Sequence, residues 1–220
     1  MQLVKKFREP VNALTHIFGA ILSLIATFMF VFSCNKNYLN YGYFSLMIFG
    51  LSLILLYSAS SIYHLFWGSE KVIKRLRKLD HSMIYVLIAG TYTPITLIAL
   101  KGSFGLFMFF SIWAMAIIGI FLKIFWFNAP RWLYTLFYVL MGWFAAIAIV
   151  PLYKVISLAG VLLLFFGGIS YTIGAVIYAT QKPHLNIKFL GSHEIFHLFV
   201  ILGSVLHFLM IYIYILPLLQ

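Results

Sequence analysis

Long apolar runs follow one another along almost the whole chain, interrupted only by short connections that hold most of its charge. Crossing about 30 Å of hydrocarbon takes roughly 20 helical residues at about 1.5 Å each. Seven stretches meet that length, at about 11–33, 41–66, 79–100, 104–125, 131–151, 156–179 and 193–217. Only 9% of the residues are charged and 64% are hydrophobic, whereas soluble domains carry about 25% charged residues. A water-soluble enzyme, a disordered tail and a collagen-like fibre are thereby excluded. The single Cys34 rules out an intrachain disulfide, so helix packing and polar or metal contacts must hold the fold. The expected fold is an all-α integral membrane protein, a seven-transmembrane-helix bundle forming one domain over residues 1–220 with no separate soluble part.

Fifteen Lys and Arg stand against four Asp and Glu, a net charge of +11 that in a soluble chain would suggest nucleic acid as a partner. Their placement says otherwise. Of the 15 basic residues, 12 fall on alternate connections, with five in Lys71–Lys78 alone. The positive-inside rule then predicts a cytoplasmic N-terminus, a C-terminus outside, and a multi-pass protein of the plasma membrane. Its expected partners are membrane lipids, not nucleic acid. Lys5, Lys6 and Arg8 ahead of an apolar stretch resemble a signal peptide. The stretch continues through Phe28–Val31 without a small-residue cleavage pattern, and it contains Asn12, Thr15 and His16, so it is expected to be retained.

Ionisable groups inside hydrocarbon are costly, and here they gather at one set of span ends. Glu9, Asn12 and His16 share a helix face at i, i+3 and i+7; Ser60 and His64 are an i, i+4 pair; Asp80 and His81 open the third run; His193 and His197 are another i, i+4 pair opening the last. By the expected topology all lie on the cytoplasmic side. His64, His193 and His197 make a candidate three-histidine zinc site, leaving a fourth position for water. Zinc lowers the pKa of such a water to about 7. Asp80 is the nearest acid to act as base, and Ser60, one turn before His64, is placed to hydrogen-bond the water or a substrate carbonyl.

Each residue also has a plainer role. Ser58–Ser61 could serve close helix packing, Asn12 an interhelical hydrogen bond, and Asp80 an N-cap. Phe66, Trp67, Trp126 and Trp132 read as an interfacial belt, His207 as an interhelical hydrogen bonder, and His184 as a solvated loop residue. Pro94 should bend its span. His193–His197 is also literally H-E-x-x-H, in which Glu194 would be a metalloprotease base. No Asp or Glu follows Glu194, and the position six beyond His197 is Gly203, so the third ligand must lie upstream. That favours His64 and leaves Glu194 to orient neighbours or face the interface.

The segments Glu9-x2-Asn12-x3-His16, Ser60-x3-His64, Leu79-Asp80-His81 with Ala89–Pro94, and His193-x3-His197 together resemble the bacterial hemolysin III family. That family lies within the progestin and adipoQ receptor superfamily, which includes the adiponectin receptors and is related to alkaline ceramidases. The resemblance spans essentially the whole chain. It implies a seven-helix fold, a zinc near the cytoplasmic leaflet on His64, His193 and His197, Asp80 and Ser60 beside its water, and Glu9, Asn12 and His16 as neighbouring motif residues. It further implies a lipid amide or ester hydrolase of ceramidase type with a role in membrane-lipid homeostasis. The alternatives are a lipid or fluidity sensor or receptor-like protein with structural zinc, and a pore-forming cytolysin.

Overall fold

The computed structural model describes residues 7–33, 41–183 and 191–219. Cys34 and His184 lie outside them, as do Lys5, Lys6, Lys36 and Lys188 of the charge count. The described residues are helical, with no strand. In chain order they form α1 (Pro10–Ser33), α2 (Tyr41–Leu65), α3 (Glu70–Pro94), α4 (Gly102–Phe125), α5 (Arg131–Trp143), α6 (Ile149–Thr180) and α7 (Ser192–Met210). Pro94 has no N–H to donate, and beyond it the chain widens into a π-helix, Ile95–Ala99. The Thr96 hydroxyl donates to the Tyr92 carbonyl there, at 2.9 Å. A 3-10 turn (Phe144–Ala148) joins α5 to α6, and α7 runs on through a π-helix (Ile211–Ile215) and a 3-10 turn (Leu216–Leu219).

The expectation of seven membrane-crossing helices is overturned. Six helical stretches are long and apolar enough to cross, because the runs expected at 131–151 and 156–179 belong to one 50-residue stretch, Arg131–Thr180. No interhelical loop separates them. Laid straight, such a stretch would reach about 75 Å at the α-helical rise. It folds back on itself instead: Ser157 leaves helical geometry at φ 61° and ψ 174°, and the Trp143 indole donates to the Thr172 hydroxyl, 29 residues on, at 3.0 Å. The assignment of a cytoplasmic N-terminus and an outside C-terminus falls with the count, since it needed seven alternating connections, and with it falls the placement of the cluster at a cytoplasmic leaflet.

α3 is the central helix, with 72% of its apolar window buried against 28% in α1 and in α4. α1 packs on α2 and α7, α2 on α3, α3 on α4, α5 on α6 and α6 on α7. Gly19 permits the close α1–α2 approach: a Cβ there would lie 2.6 Å from the Tyr57 ring. Outward-facing residues are apolar, with Phe32 83% and Phe125 79% exposed. Such rings are stable against lipid rather than water. α3 begins at Glu70 after Ser69, so Asp80 sits inside the helix and is not its N-cap. The charged first turns of α3, the ends of α2, α4 and α6 and the starts of α1, α5 and α7 all meet at one end of the bundle.

Candidate metal centre

Two helix ends are built to meet here. α7 starts sharply because the Gly191 N–H donates to the Glu194 carboxylate at 2.8 Å, one half of a capping box. That start sets His193 and His197 one turn apart on a face turned towards α2. His64 occupies the last turn of α2. The entry to α1 is fastened to the same turn twice: the Glu9 N–H donates to the His64 carbonyl at 3.0 Å, and His64 Nδ1 donates to the Glu9 carboxylate at 2.6 Å.

One ring nitrogen from each of His64, His193 and His197 lies within 4.8 Å of the others. His64 Nε2 and His193 Nε2 face each other at 3.4 Å. A tetrahedral zinc at 2.0–2.1 Å from each nitrogen requires a spacing of about 3.3 Å. The groups behind the rings fit the same purpose. Glu9 takes the Nδ1 proton of His64, leaving its Nε2 lone pair aimed at the common point. The Thr15 hydroxyl donates to the Val11 and Asn12 carbonyls at 3.0 and 2.9 Å. It therefore accepts from His197 Nδ1, at 3.2 Å, and Nε2 of that ring is likewise unprotonated. The donor set fits a divalent metal of the zinc type.

Glu9 stays a carboxylate in this role. Burial alone would raise its pKa, but the hydrogen bond from His64 and the neighbouring Arg8 charge, with Asn12 beside it, hold it well below the usual carboxylate range. Arg8 Nη2 lies 3.2 Å from the other Glu9 oxygen, and Asn12 Nδ2 donates to Oε2 at 3.2 Å.

Below the three imidazoles an apolar cavity of about 170 Å³ runs into the bundle. His16, Ser60, Asp80, His193 and His197 line its polar end, and Leu56, Leu87, Tyr138, Leu164, Val200 and His207 its deeper wall. Ser60 is hydrogen-bonded to the Asp80 side chain. His16 is buried and stacked on His197, with ring centroids 3.5 Å apart, and neither of its nitrogens has a partner. His207 donates from Nδ1 to the Gly203 carbonyl at 2.8 Å and stacks on Tyr171.

Of the residues singled out from the sequence, His64, His193, His197, Glu9, Asn12, His16, Ser60 and Asp80 come together at this end. Glu194 is set apart as the cap of α7. Asn12 reaches within its own helix to Glu9 rather than across helices. Two residues were missed as parts of the site. Thr15 orients His197, and Tyr178 brings its hydroxyl to 3.4 Å from His81 Nε2 while its ring packs against His193. The sequence places Thr15 one turn after Asn12, near a face carrying Glu9 and His16, but nothing in it sets that face against α7.

A protein-family model described as Haemolysin-III related matches residues 4–208. The chain is 40% identical over 216 residues to Hemolysin-3 of Bacillus cereus, covering 98% of this chain and 94% of that protein. It is 41% identical over 207 residues to the Hemolysin-3 homolog of Bacillus subtilis (strain 168), covering 94% and 93%. A more distant likeness, 26% over 171 residues, covers 76% of this chain and 68% of the human Monocyte to macrophage differentiation factor.

Proposed function

Because the chain belongs to the haemolysin-III-related family, we propose that it is a zinc-dependent integral-membrane hydrolase that cleaves an amide or ester bond of a membrane lipid. The observation that carries this reading is the convergence of three imidazole nitrogens at the head of an apolar cavity whose wall also holds Asp80 and Ser60. A soluble substrate has no use for such a lining; an acyl chain does.

His64, His193 and His197 would hold the zinc, with Glu9 and Thr15 fixing two of the rings. When bound, zinc supplies Lewis acidity towards a carbonyl oxygen and towards water. Asp80 accepts a proton from the attacking water and returns it to the leaving nitrogen or oxygen. Ser60 orients the Asp80 carboxylate. His16, buried with unpartnered nitrogens, offers a hydrogen bond to the polar head of the lipid. The site serves membrane-lipid homeostasis in the plasma membrane.

The test is lipid analysis of cells producing wild type, His193→Ala or Asp80→Ala. Wild type should deplete one lipid class and release its fatty acid, and both variants should abolish the change. In purified protein Asp80→Ala should lose about 100-fold or more in turnover. Full turnover by that variant would end the catalytic assignment. A second reading, a structural metal tying the ends of α1, α2 and α7 together, is favoured by the Glu9–His64 and Thr15–His197 contacts. It predicts that His64→Ala destabilises the bundle while no lipid changes in any variant. Two relatives are named for haemolysis; lysis by this chain would appear as zinc-independent dye release from liposomes, against which the apolar cavity lining speaks.

A further inference from the structure

A second cleft, of about 520 Å³, opens at the same end of the bundle but outside the metal centre. Its walls come from the entry to α1 (Arg8), the end of α2 (Tyr63 and Trp67), the first turns of α3 (Lys74 and Arg77) and the α4–α5 turn (Phe127). Its cations are Arg8, Lys74 and Arg77. Lys74 and Arg77 lie 5.5 and 5.7 Å from the centre of the Phe127 ring, while Lys78 and Lys123 reach the same ring from outside the cleft, Lys78 donating to the Ile124 carbonyl and Lys123 lying over Tyr134. Among the described residues the only Lys or Arg within ion-pair distance of a carboxylate is Arg8. Its partner Glu9 is already shared with His64 and Asn12. Glu70 lines the cleft too, yet makes no ion pair among the described residues. The Phe127 ring face attracts these cations but leaves their charge uncompensated, and an anion among them relieves their mutual repulsion.

The groups present specify the anion. The Arg8 guanidinium carbon lies 4.2 Å from the centre of the Tyr63 ring, and its Nε–H, shielded from solvent, has no acceptor. A buried guanidinium N–H calls for an acceptor oxygen. Arg8 approaches from the segment ahead of α1 and Lys74 and Arg77 from α3, which suits an anion with several oxygens around one centre rather than a flat carboxylate. Trp67, Trp126 and Trp132, all more than half exposed at this end, mark the depth at which lipid headgroups lie. We infer that this cleft binds a phosphate group, supplied by the headgroup of an anionic phospholipid. The inference does not depend on the metal or on hydrolysis.

Calorimetric titration of the purified full-length protein in neutral detergent tests it, with three probes: dihexanoyl phosphatidylglycerol, inorganic phosphate, and dihexanoylglycerol, which lacks the phosphate. Wild type should bind the phosphatidylglycerol and not the dihexanoylglycerol. Lys74→Glu should weaken binding about tenfold or more, while Arg75→Glu, the same charge change on the next residue outside the cleft, should alter it less than about twofold. Silence of inorganic phosphate in large excess assigns the lipid source, and comparable binding of it assigns the free anion; both uphold a phosphate site. Equal binding of dihexanoylglycerol overturns it, as does equal loss in the two charge reversals. If Lys74→Glu does not fold, Lys74→Gln should weaken binding about fivefold, and unchanged affinity there overturns the inference as well.

Discussion

At the scale of single residues, the candidate metal centre is set up by groups outside the three clustered histidines. A histidine ligates through one nitrogen only if the other is given a fixed partner, and here Glu9 and Thr15 supply it for His64 and His197. Glu9→Gln and Thr15→Val should each weaken zinc binding about 10- to 100-fold, read by competition with a chelating dye, while circular dichroism stays that of wild type. The clustering of the three histidines was legible in the sequence because i, i+4 spacing on one helix, joined to a third imidazole at another apolar run's end, is a chemical pattern. Thr15 was not. A threonine hydroxyl in an apolar helix normally bonds its own backbone, as this one also does to Val11 and Asn12, and nothing in one dimension says that the first helix will face the last. Glu194 carried several meanings in the sequence, as a general base, a group orienting its neighbours or a residue facing the interface, and in the fold its carboxylate accepts from the Gly191 N–H and caps α7.

Among the elements, the long stretch from Arg131 to Thr180 is where sequence reasoning and the fold part company. Tyr153 and Lys154 lower the local hydropathy enough to read as a connection between two spans, but both lie within α6, and the non-helical residue is Ser157, inside the run expected to be the sixth span. Hydropathy detects polarity, not dihedral angles. Ser157 has the left-handed φ of 61° with an extended ψ of 174°, a region open essentially to glycine alone. Ser157→Gly should therefore raise stability by about 1–3 kcal/mol, seen as a higher melting temperature in detergent. A lowered melting temperature would mean that the serine hydroxyl holds the bend. The break beyond Trp143 is handled differently: the Tyr92 hydroxyl receives the Ala145 N–H at 2.6 Å and reaches the Gly142 carbonyl at 2.7 Å, satisfying backbone groups that an irregular turn would leave bare inside the membrane.

For the whole molecule, composition alone was enough to place the chain in a lipid bilayer, since no arrangement of 64% hydrophobic residues makes a soluble surface. The direction in which it lies was not legible. That argument counted charges across connections, and a connection expected near residues 152–155 is helix. The gathering of polar side chains at one end was legible because burial of ionisable groups in hydrocarbon is too unfavourable to occur without a purpose. The purpose has a thermodynamic signature. A metal held by α2 and α7 should stabilise the bundle by about 4 kcal/mol at a thousandfold excess of free zinc over its Kd. Chelation should therefore lower the melting temperature of wild type and leave that of His64→Ala unmoved.

His64 meets His193 across 129 residues of chain, and Thr15 meets His197 across 182. During synthesis at about 5–20 residues per second, some 6–26 s separate the emergence of His64 from that of His193. For that interval only His64 of the three clustered histidines has been made. The cluster can close only once the last helix is made, so if zinc is its ligand, metal capture would be the last step of the protein's biogenesis and the supply of zinc at that moment would set the number of finished molecules.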